Sequence, residues 1–226
     1  MPNKTPENAF LARLRSRRST RSYLWLVYSH KIRSDLILES NQELAHWLLN
    51  LEFDAHVVDF WIPAASELYG EQRGGRRTRP DVVVRNADGV QEWHEVKAGH
   101  VDEVNSSEQI MMQREICANN GAIYRLFDES TRIPRQYELV PRLRLMHFIA
   151  VARNQPIVDH VQMTTLDYVN QVKAGTLGGL LQTYPELAPT HLISAMVRLM
   201  IEGVVALEIE GTTPTRQTAW SLKGAL

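Results

Sequence analysis

Apolar residues recur at regular spacings along most of the chain, and a well-defined helical pattern lies in its first quarter. Leu44, Leu48 and Leu51 fall at the spacing of one helical face. They follow Ser40-Asn41-Gln42-Glu43, in which a serine three residues before a glutamate is typical of an N-terminal capping box. Residues 40–51 are therefore predicted to form an amphipathic helix.

Alternating and β-branched segments in the middle of the chain predict strands. Residues 80–85 and 90–98 have the composition of two strands, and the turn-forming residues 86–89 join them into a hairpin-like pair. A helix over 103–119 and a further strand over 122–127 are predicted to follow. Strands and helices in this order predict an α/β fold with a mixed central sheet and flanking helices.

Beyond residue 144 the pattern changes to helices followed by two short strands. Helices are predicted over 145–153 and 189–202, with shorter helical segments between them, and a β-hairpin is predicted within 204–222. This order is typical of a small winged helix-turn-helix domain, although many small interaction modules share it.

Charge divides the chain into three parts. Residues 1–33 hold eight Lys and Arg against one acidic residue, whereas residues 34–144 hold 12 basic and 19 acidic residues. Residues 145–226 are close to neutral, with five basic and six acidic residues. We therefore predict a basic N-terminal arm, an α/β domain and a small C-terminal domain with these boundaries. A basic arm ahead of an acidic domain suits a protein that meets a polyanion and also gathers carboxylates, although a solvated arm has the same composition.

The overall composition narrows the class of protein. The chain of 226 residues is 44% apolar and 23% charged, which is typical of globular domains and excludes a disordered or collagenous chain. Neither an apolar run long enough to span a membrane nor a signal-peptide pattern is present in the sequence. The single cysteine, Cys117, excludes an internal disulfide and a cysteine-based zinc site. These features predict a cytoplasmic protein that works without a membrane.

Charged side chains stand at defined positions in the predicted hairpin. Asp81 begins its first strand, while Glu95 and Lys97 lie two residues apart on the second and so leave the same face. Pairing of the strands brings Asp81 towards Glu95, and two adjacent carboxylates favour a cation between them. Oxygen ligands suit Mg²⁺ or Mn²⁺, and a neighbouring lysine can orient water or stabilise charge on a phosphate. The pattern predicts metal-assisted phosphodiester hydrolysis, although an exposed hairpin with ordinary neighbouring charges also fits it.

These residues resemble the two signature motifs of the PD-(D/E)xK nuclease superfamily, which has the restriction-endonuclease-like fold. Pro80-Asp81 matches the first motif, Glu95-Val96-Lys97 matches the second, and Glu43 matches a glutamate on the first core helix. Within the superfamily the chain is most similar to TnsA, the endonuclease subunit of heteromeric transposases, in which a small winged-helix-like domain follows the nuclease. Besides the two motif strands, the segments that carry this similarity are 39–43, 51–57 and 120–124.

The resemblance implies a role for each matching residue. Asp81 and Glu95, with the main-chain carbonyl of Val96, would bind one or two Mg²⁺ ions, for which Mn²⁺ can substitute. Glu43 would bind a second metal ion or its water, and Lys97 would position the nucleophilic water. The family also implies a double-stranded DNA substrate, cut at the 5′ side of transposon ends beside a DDE transposase subunit and an AAA+ ATPase regulator. A bacterial cytoplasm is then the expected location, with association to the nucleoid in the assembled complex.

Several of these residues have structural alternatives. Glu43 is the third helical residue after Ser40, where its side chain can bond back to the backbone. His94 alternates to the strand face opposite Glu95 and is predicted to be packed or solvent-facing rather than a ligand. Gln113 and a group of loop arginines are predicted DNA contacts, although a solvent-facing glutamine and a solubilising loop have the same composition. The arginines are Arg73, Arg76, Arg77 and Arg79.

Two other functions remain open at this point. One is a stand-alone restriction or repair nuclease of the same fold, and the other is a non-catalytic module that binds DNA or protein. The near-neutral C-terminal domain is expected to dock partner proteins mainly, because nonspecific DNA binding needs several basic contacts.

Overall fold

The computed structural model describes residues 6–16, 23–64, 67–69, 77–101, 108–153, 155, 158–209 and 211–224. These residues form a mixed α/β structure, as predicted, with three β-sheets and helices packed around them. None of the described helices is long and apolar enough to cross a lipid bilayer.

The first elements are a helix and a β-hairpin. Helix α1 (Pro6–Ser16) precedes strand β1 (Trp25–Ser29), which pairs antiparallel with β2 (Ser34–Leu38). Trp25 and Tyr28 of β1 pack against the main hydrophobic core. Part of the segment predicted as a basic arm therefore belongs to the folded structure.

A helix follows at the place that the apolar spacing predicts. Helix α2 (Asn41–His46) continues directly into a π-helical segment (Trp47–Glu52), so the helix expected over 40–51 is confirmed but its second half is wider than an α-helix. The indole Nε1 of Trp47 donates a hydrogen bond of 3.1 Å to the carboxylate of Glu52, five residues later. This pairing of buried side chains accompanies the wider turn, and apolar spacing alone does not reveal it.

The central sheet has four strands in the order β3-β4-β5-β6. The pairs β3/β4 and β4/β5 are antiparallel, whereas β5 and β6 are parallel. The predicted hairpin is confirmed as β4 and β5, and Gly89 in its turn adopts a left-handed φ of 81°. The strands are β3 (Val57–Trp61), β4 (Val82–Asn86), β5 (Gln91–Val96) and β6 (Ile123–Phe127).

Helices cover both faces of this sheet. Val82 and Val84 of β4 pack into the main core together with residues of the π-helical segment. Val83 and Trp93 point to the other face and pack against α3 (Glu108–Asn119). Since side chains alternate along a strand, each strand of the hairpin presents residues to two different environments. This division decides which side chains meet at the ends of β4 and β5.

The C-terminal half is mainly helical and ends in a three-stranded antiparallel sheet of order β7-β9-β8. A 3-10 helix (Ile133–Glu138) links the first two of its helices. The remaining elements are α4 (Glu129–Arg132), α5 (Leu139–Ala152), α6 (Val158–Val172), β7 (Ala174–Thr176), α7 (Leu177–Thr183), α8 (Pro189–Ile201), β8 (Val205–Leu207) and β9 (Ala219–Leu222).

The predicted boundary between residues 144 and 145 lies within α5, which begins at Leu139. Leu145 and Ile149 of this helix share one hydrophobic cluster with Leu48 of the π-helical segment and Met196 of α8. Helices α5 and α6 both pack against α8, most of whose apolar residues are buried. The main core therefore crosses the predicted boundary.

Close packing at Gly203 leads to a stability prediction. Gly203 has a φ of 76°, and a Cβ added there would lie 2.7 Å from the Cβ of Ala55. Gly211 has a similar φ of 65° with nothing within 4 Å of the added Cβ. We expect Gly211→Ala to lower the free energy of unfolding by about 1 kcal/mol through backbone strain alone, and Gly203→Ala to lower it by about 2–4 kcal/mol through strain and overpacking. Urea unfolding of both variants measures the difference, and equal losses would contradict the close contact.

Candidate active site

The ends of β4 and β5 bring Asp81 and Glu95 together. Val82 pairs with His94 in the antiparallel register, so Asp81 stands immediately before β4 and beside the end of β5. Its Oδ2 accepts a hydrogen bond of 2.8 Å from the main-chain N–H of Val96. Burial raises the pKa of Glu95, and the negative charge of Asp81 raises it further. The two carboxylates are therefore near neighbours, as the hairpin predicts.

Glu95 is held from two sides. The Nζ of Lys97 donates to its Oε1 at 2.5 Å, and the Nε2 of Gln113 on α3 donates to its Oε2 at 2.9 Å. The hydroxyl of Tyr124 donates to the Oε1 of Gln113 at 3.3 Å, which fixes the orientation of the amide. Gln113, predicted as a DNA contact, is 2% exposed and binds Glu95. In this structure its amide supports the glutamate.

Glu43 lies on α2, where its side chain bonds back to the backbone as the structural alternative predicts. It also lies near Asp81. Its N–H donates to the Oγ of Ser40 at 3.1 Å, and its Oε2 accepts a bond of 2.7 Å from the N–H of Glu39. Burial raises the pKa of Glu43, and the negative charges of Glu39 and Asp81 raise it further. Capping therefore explains its backbone bonds, and a role towards a metal stays a prediction.

A cavity of about 720 Å³ borders Asp81. Buried apolar residues of β2, the π-helical segment and β3 form part of its lining. The polar lining residues are Asp35, Glu39, Glu43, His46, Arg79 and Asp81. Four of these six side chains are carboxylates, so the polar part of the wall favours a positively charged or hydrogen-bond-donating occupant.

A buried chain of polar side chains leads away from the cavity. His46 is 1% exposed, and its Nε2 lies 2.8 Å from the Nδ1 of His94. The Nε2 of His94 lies 3.0 Å from the Oε2 of Glu92. The guanidinium of Arg125 donates to the Oε1 of Glu92 at 2.9 and 3.1 Å. The chain thus connects the cavity wall to an arginine whose side chain is 58% exposed.

The sequence predicts only part of this series of hydrogen-bonded side chains. His94 is buried on the strand face opposite Glu95, as its alternation indicates. His46 was not predicted, although it stands three residues after Glu43, a spacing that places two side chains on one helical face. That spacing was the available signal. It becomes informative only when the face is known to border a cavity.

The loop arginines divide into two groups. Arg73 and Arg76 lie outside the described residues. Arg77 and Arg79 are exposed, and Arg79 lines the cavity beside Asp81. Contact of these two arginines with DNA phosphates stays a prediction.

The donor atoms at the strand ends suit a magnesium or manganese ion. Asp81, Glu95 and the carbonyl of Val96 supply only oxygen, which Mg²⁺ and Mn²⁺ prefer. Mg²⁺ commonly binds through one or two protein carboxylates and keeps several waters. Within the part of the chain that the structure describes, no three side chains of His, Cys, Asp or Glu form a metal-binding group.

The chain matches no known protein-family model and no curated protein. The similarity to TnsA therefore stays a prediction based on the motifs.

Proposed function

We propose that this protein is a metal-dependent DNA endonuclease of the PD-(D/E)xK type. The observation that supports the proposal is the position of Asp81, which accepts a hydrogen bond of 2.8 Å from the N–H of Val96 next to Glu95, with the ammonium group of Lys97 2.5 Å from the Glu95 carboxylate. Two carboxylates can hold a metal ion, and a neighbouring lysine can stabilise charge on the phosphate, so these groups suit metal-assisted phosphodiester hydrolysis.

Each residue has a distinct task in the proposed reaction. Asp81, Glu95 and the carbonyl of Val96 would hold Mg²⁺, which supplies an activated water and polarises the phosphate when bound. Lys97 is one-third exposed, so its ammonium can orient the attacking water or stabilise charge on the phosphate. Gln113 keeps the second oxygen of Glu95 in place through its bond of 2.9 Å. The products are a 3′ or 5′ phosphate and a hydroxyl on the two sides of the cut.

We further propose that the endonuclease is a subunit of a heteromeric cut-and-paste transposase and cuts the 5′ side of transposon ends. Its partners would be a DDE transposase and an AAA+ ATPase, as the motif resemblance implies. The C-terminal order of helix, strand, two helices and hairpin supports a winged-helix-like unit. Since α8 is largely buried against α5 and α6, we propose that this unit docks partner proteins rather than reading DNA through α8.

Metal binding tests the proposal without depending on partners. Asp81→Asn is expected to weaken Mn²⁺ binding to the full chain by about tenfold or more, because a ligand carboxylate is replaced by a neutral amide. Asp167→Asn, at an exposed position on α6, is the matched control and is expected to bind Mn²⁺ like the unmodified chain. Isothermal titration calorimetry measures the three dissociation constants.

The outcomes separate the alternatives. Equal Mn²⁺ affinity in all three proteins would overturn the nuclease proposal and leave a binding module. Weakened binding in Asp81→Asn, with metal-dependent cutting of plasmid DNA by the purified chain alone, would replace the transposase subunit with a stand-alone nuclease. Neighbouring reading frames that encode an integrase-like transposase and an AAA+ ATPase would support the heteromeric complex.

A further inference from the structure

We propose that Gln113 and Tyr124 determine which metal ion this site prefers. Together they hold one oxygen of the Glu95 carboxylate, so that the site binds Mg²⁺ or Mn²⁺ in preference to Ca²⁺. The inference rests on the proposed function, because it concerns the same metal site. Both residues lie outside the signature motifs, and both are positioning residues, because they act on the metal ion only through Glu95.

Gln113 is a polar residue in the buried face of α3. Ile110 lies three residues before it and Ile116 three residues after it, and all three side chains are buried. This spacing places them on one helical face. A buried amide needs hydrogen-bond partners. Among the described residues, the partners of the Gln113 amide are Glu95 and Tyr124.

The two hydrogen bonds use both ends of the Gln113 amide. Its Nε2 donates to the Oε2 of Glu95 at 2.9 Å, and its Oε1 accepts from the hydroxyl of Tyr124 at 3.3 Å. Turning the amide by half a rotation would place its oxygen against the Glu95 carboxylate, which forms an ion pair with Lys97. Two acceptors would then face each other. The observed orientation therefore satisfies the amide oxygen and the carboxylate together.

Tyr124 is itself anchored at the central sheet. It lies on β6, where it pairs with Trp93 of β5 in the parallel register. Its ring packs against the hydrophobic cluster that contains Trp93 and Ile116, and the guanidinium of Arg114 lies 5.6 Å from the ring centroid. The hydroxyl therefore meets the amide of Gln113 from a position that the sheet sets.

The two oxygens of Glu95 differ in how easily their partners move. Oε1 accepts from the Nζ of Lys97, a long and flexible side chain that is 33% exposed. Oε2 accepts from the amide of Gln113, which is 2% exposed. The ammonium group can turn towards solvent, whereas displacing the amide would leave a buried donor without its partner, at a cost in free energy. Oε1 is therefore the oxygen that Glu95 offers to a metal ion.

A carboxylate that offers one oxygen suits small cations better than large ones. Mg²⁺ requires a near-octahedral set of ligands, binds through one or two protein carboxylates and keeps several waters. Ca²⁺ is larger, takes about six to eight oxygen ligands and commonly uses both oxygens of a carboxylate. With Oε2 of Glu95 held by Gln113, the site withholds an oxygen that Ca²⁺ would use. Mg²⁺ and Mn²⁺ are therefore favoured.

Metal selectivity of the full chain tests the inference. We expect the unmodified chain to bind Mn²⁺ more tightly than Ca²⁺. In Gln113→Met the ratio of the two affinities is expected to fall about tenfold, the scale of one hydrogen bond to a charged group. Methionine preserves the length of the buried side chain but cannot donate, so Oε2 of Glu95 becomes available. Isothermal titration calorimetry with Mn²⁺ and with Ca²⁺ measures the ratio, and Gln182→Met, exposed on α7, is the control that is expected to keep it.

Tyr124→Phe is a milder second variant, because it removes only the hydroxyl. We expect it to lower the ratio of Mn²⁺ to Ca²⁺ affinity by about threefold, since the amide of Gln113 keeps its bond to Glu95 but loses its anchor. Equal affinities for Mn²⁺ and Ca²⁺ in the unmodified chain would overturn the inference. An unchanged ratio in both variants, with the two affinities falling together, would also overturn it and leave Gln113 and Tyr124 a structural role only.

Nitrogen NMR of the metal-free full chain, labelled at its glutamine side chains, tests the hydrogen bonds themselves. We expect the side-chain amide protons of Gln113 to exchange with water at least about tenfold more slowly than those of the exposed Gln182. In Tyr124→Phe the exchange at Gln113 is expected to become faster. A Gln113 amide that exchanges as fast as that of Gln182 would overturn the inference.

The results also distinguish this inference from the nuclease proposal. Mn²⁺ binding that depends on Asp81, with an unchanged metal preference in Gln113→Met and Tyr124→Phe, would remove the selectivity and leave the nuclease standing. Mn²⁺ binding that does not depend on Asp81 would overturn the nuclease and the selectivity with it, even where the amide of Gln113 is protected from exchange.

Discussion

Asp81→Asn is expected to reduce the rate of Mg²⁺-dependent DNA cleavage by about a thousandfold, or about 4 kcal/mol in transition-state free energy. The substitution preserves the size of the side chain and removes the negative charge that faces Glu95. The amide can still accept the bond from the N–H of Val96, so the hairpin is expected to fold normally. The loss then reports on the metal site rather than on stability.

Cleavage of supercoiled plasmid and of linear double-stranded DNA measures this effect, with Mg²⁺ and with Mn²⁺. Where the chain alone is silent, any transposase and ATPase that neighbouring reading frames encode are added. Asp167→Asn is again the control, since this side chain is exposed on α6. An Asp81→Asn protein that cuts at about the unmodified rate would contradict the assignment of Asp81.

Glu52 joins two parts of the structure through a fully buried carboxylate. Its Oε2 accepts hydrogen bonds from the Oγ of Ser29 at 2.6 Å and the Nε1 of Trp47 at 3.1 Å. Its Oε1 accepts from the main-chain N–H of His30 at 2.6 Å and of Lys31 at 3.3 Å. The carboxylate therefore ties the β1–β2 hairpin to both ends of the π-helical segment.

Glu52→Ala is expected to lower the free energy of unfolding by about 3–5 kcal/mol. The substitution leaves several buried hydrogen-bond donors without an acceptor and opens a cavity. Glu52→Gln retains one acceptor oxygen and is expected to fall between alanine and the unmodified chain. Chemical unfolding followed by circular dichroism measures both, with the exposed Glu208→Ala as the control. A loss of less than about 1 kcal/mol in Glu52→Ala would contradict the role of the carboxylate.

Two arginines show that basic residues in a sequence do not by themselves indicate whether they bind an external ligand or other parts of the protein. Arg135 donates to the carbonyl of Leu49 at 3.0 Å, and Arg142 donates to the carbonyl of Leu48 at 2.9 Å. Both arginines also pair with Glu138. Along the sequence they are two of several arginines between residues 132 and 144, and in the structure they satisfy carbonyls of the π-helical segment. These contacts arise because helix packing brings residues almost a hundred positions apart into contact.

The hairpin that carries Asp81 and Glu95 could be predicted because its information is local. Strand alternation and the turn around Gly89 are both encoded within about 20 residues, and the register then follows from the turn. Helix α2 was predictable for the same reason, since its cap and its apolar spacing are adjacent in sequence. The proximity of two carboxylates followed directly from these local rules.

The amino-acid sequence by itself determined the α/β class, the hairpin at the centre of the sheet and the acidic pair with its lysine, because short-range periodicity and turn chemistry decide all three. Only the tertiary structure decided the π-helical turn around Glu52, the core that crosses residue 144, and the series of hydrogen-bonded side chains from His46 to Arg125. These features depend on which side chains are buried together, and burial depends on how distant elements pack rather than on any short stretch of residues.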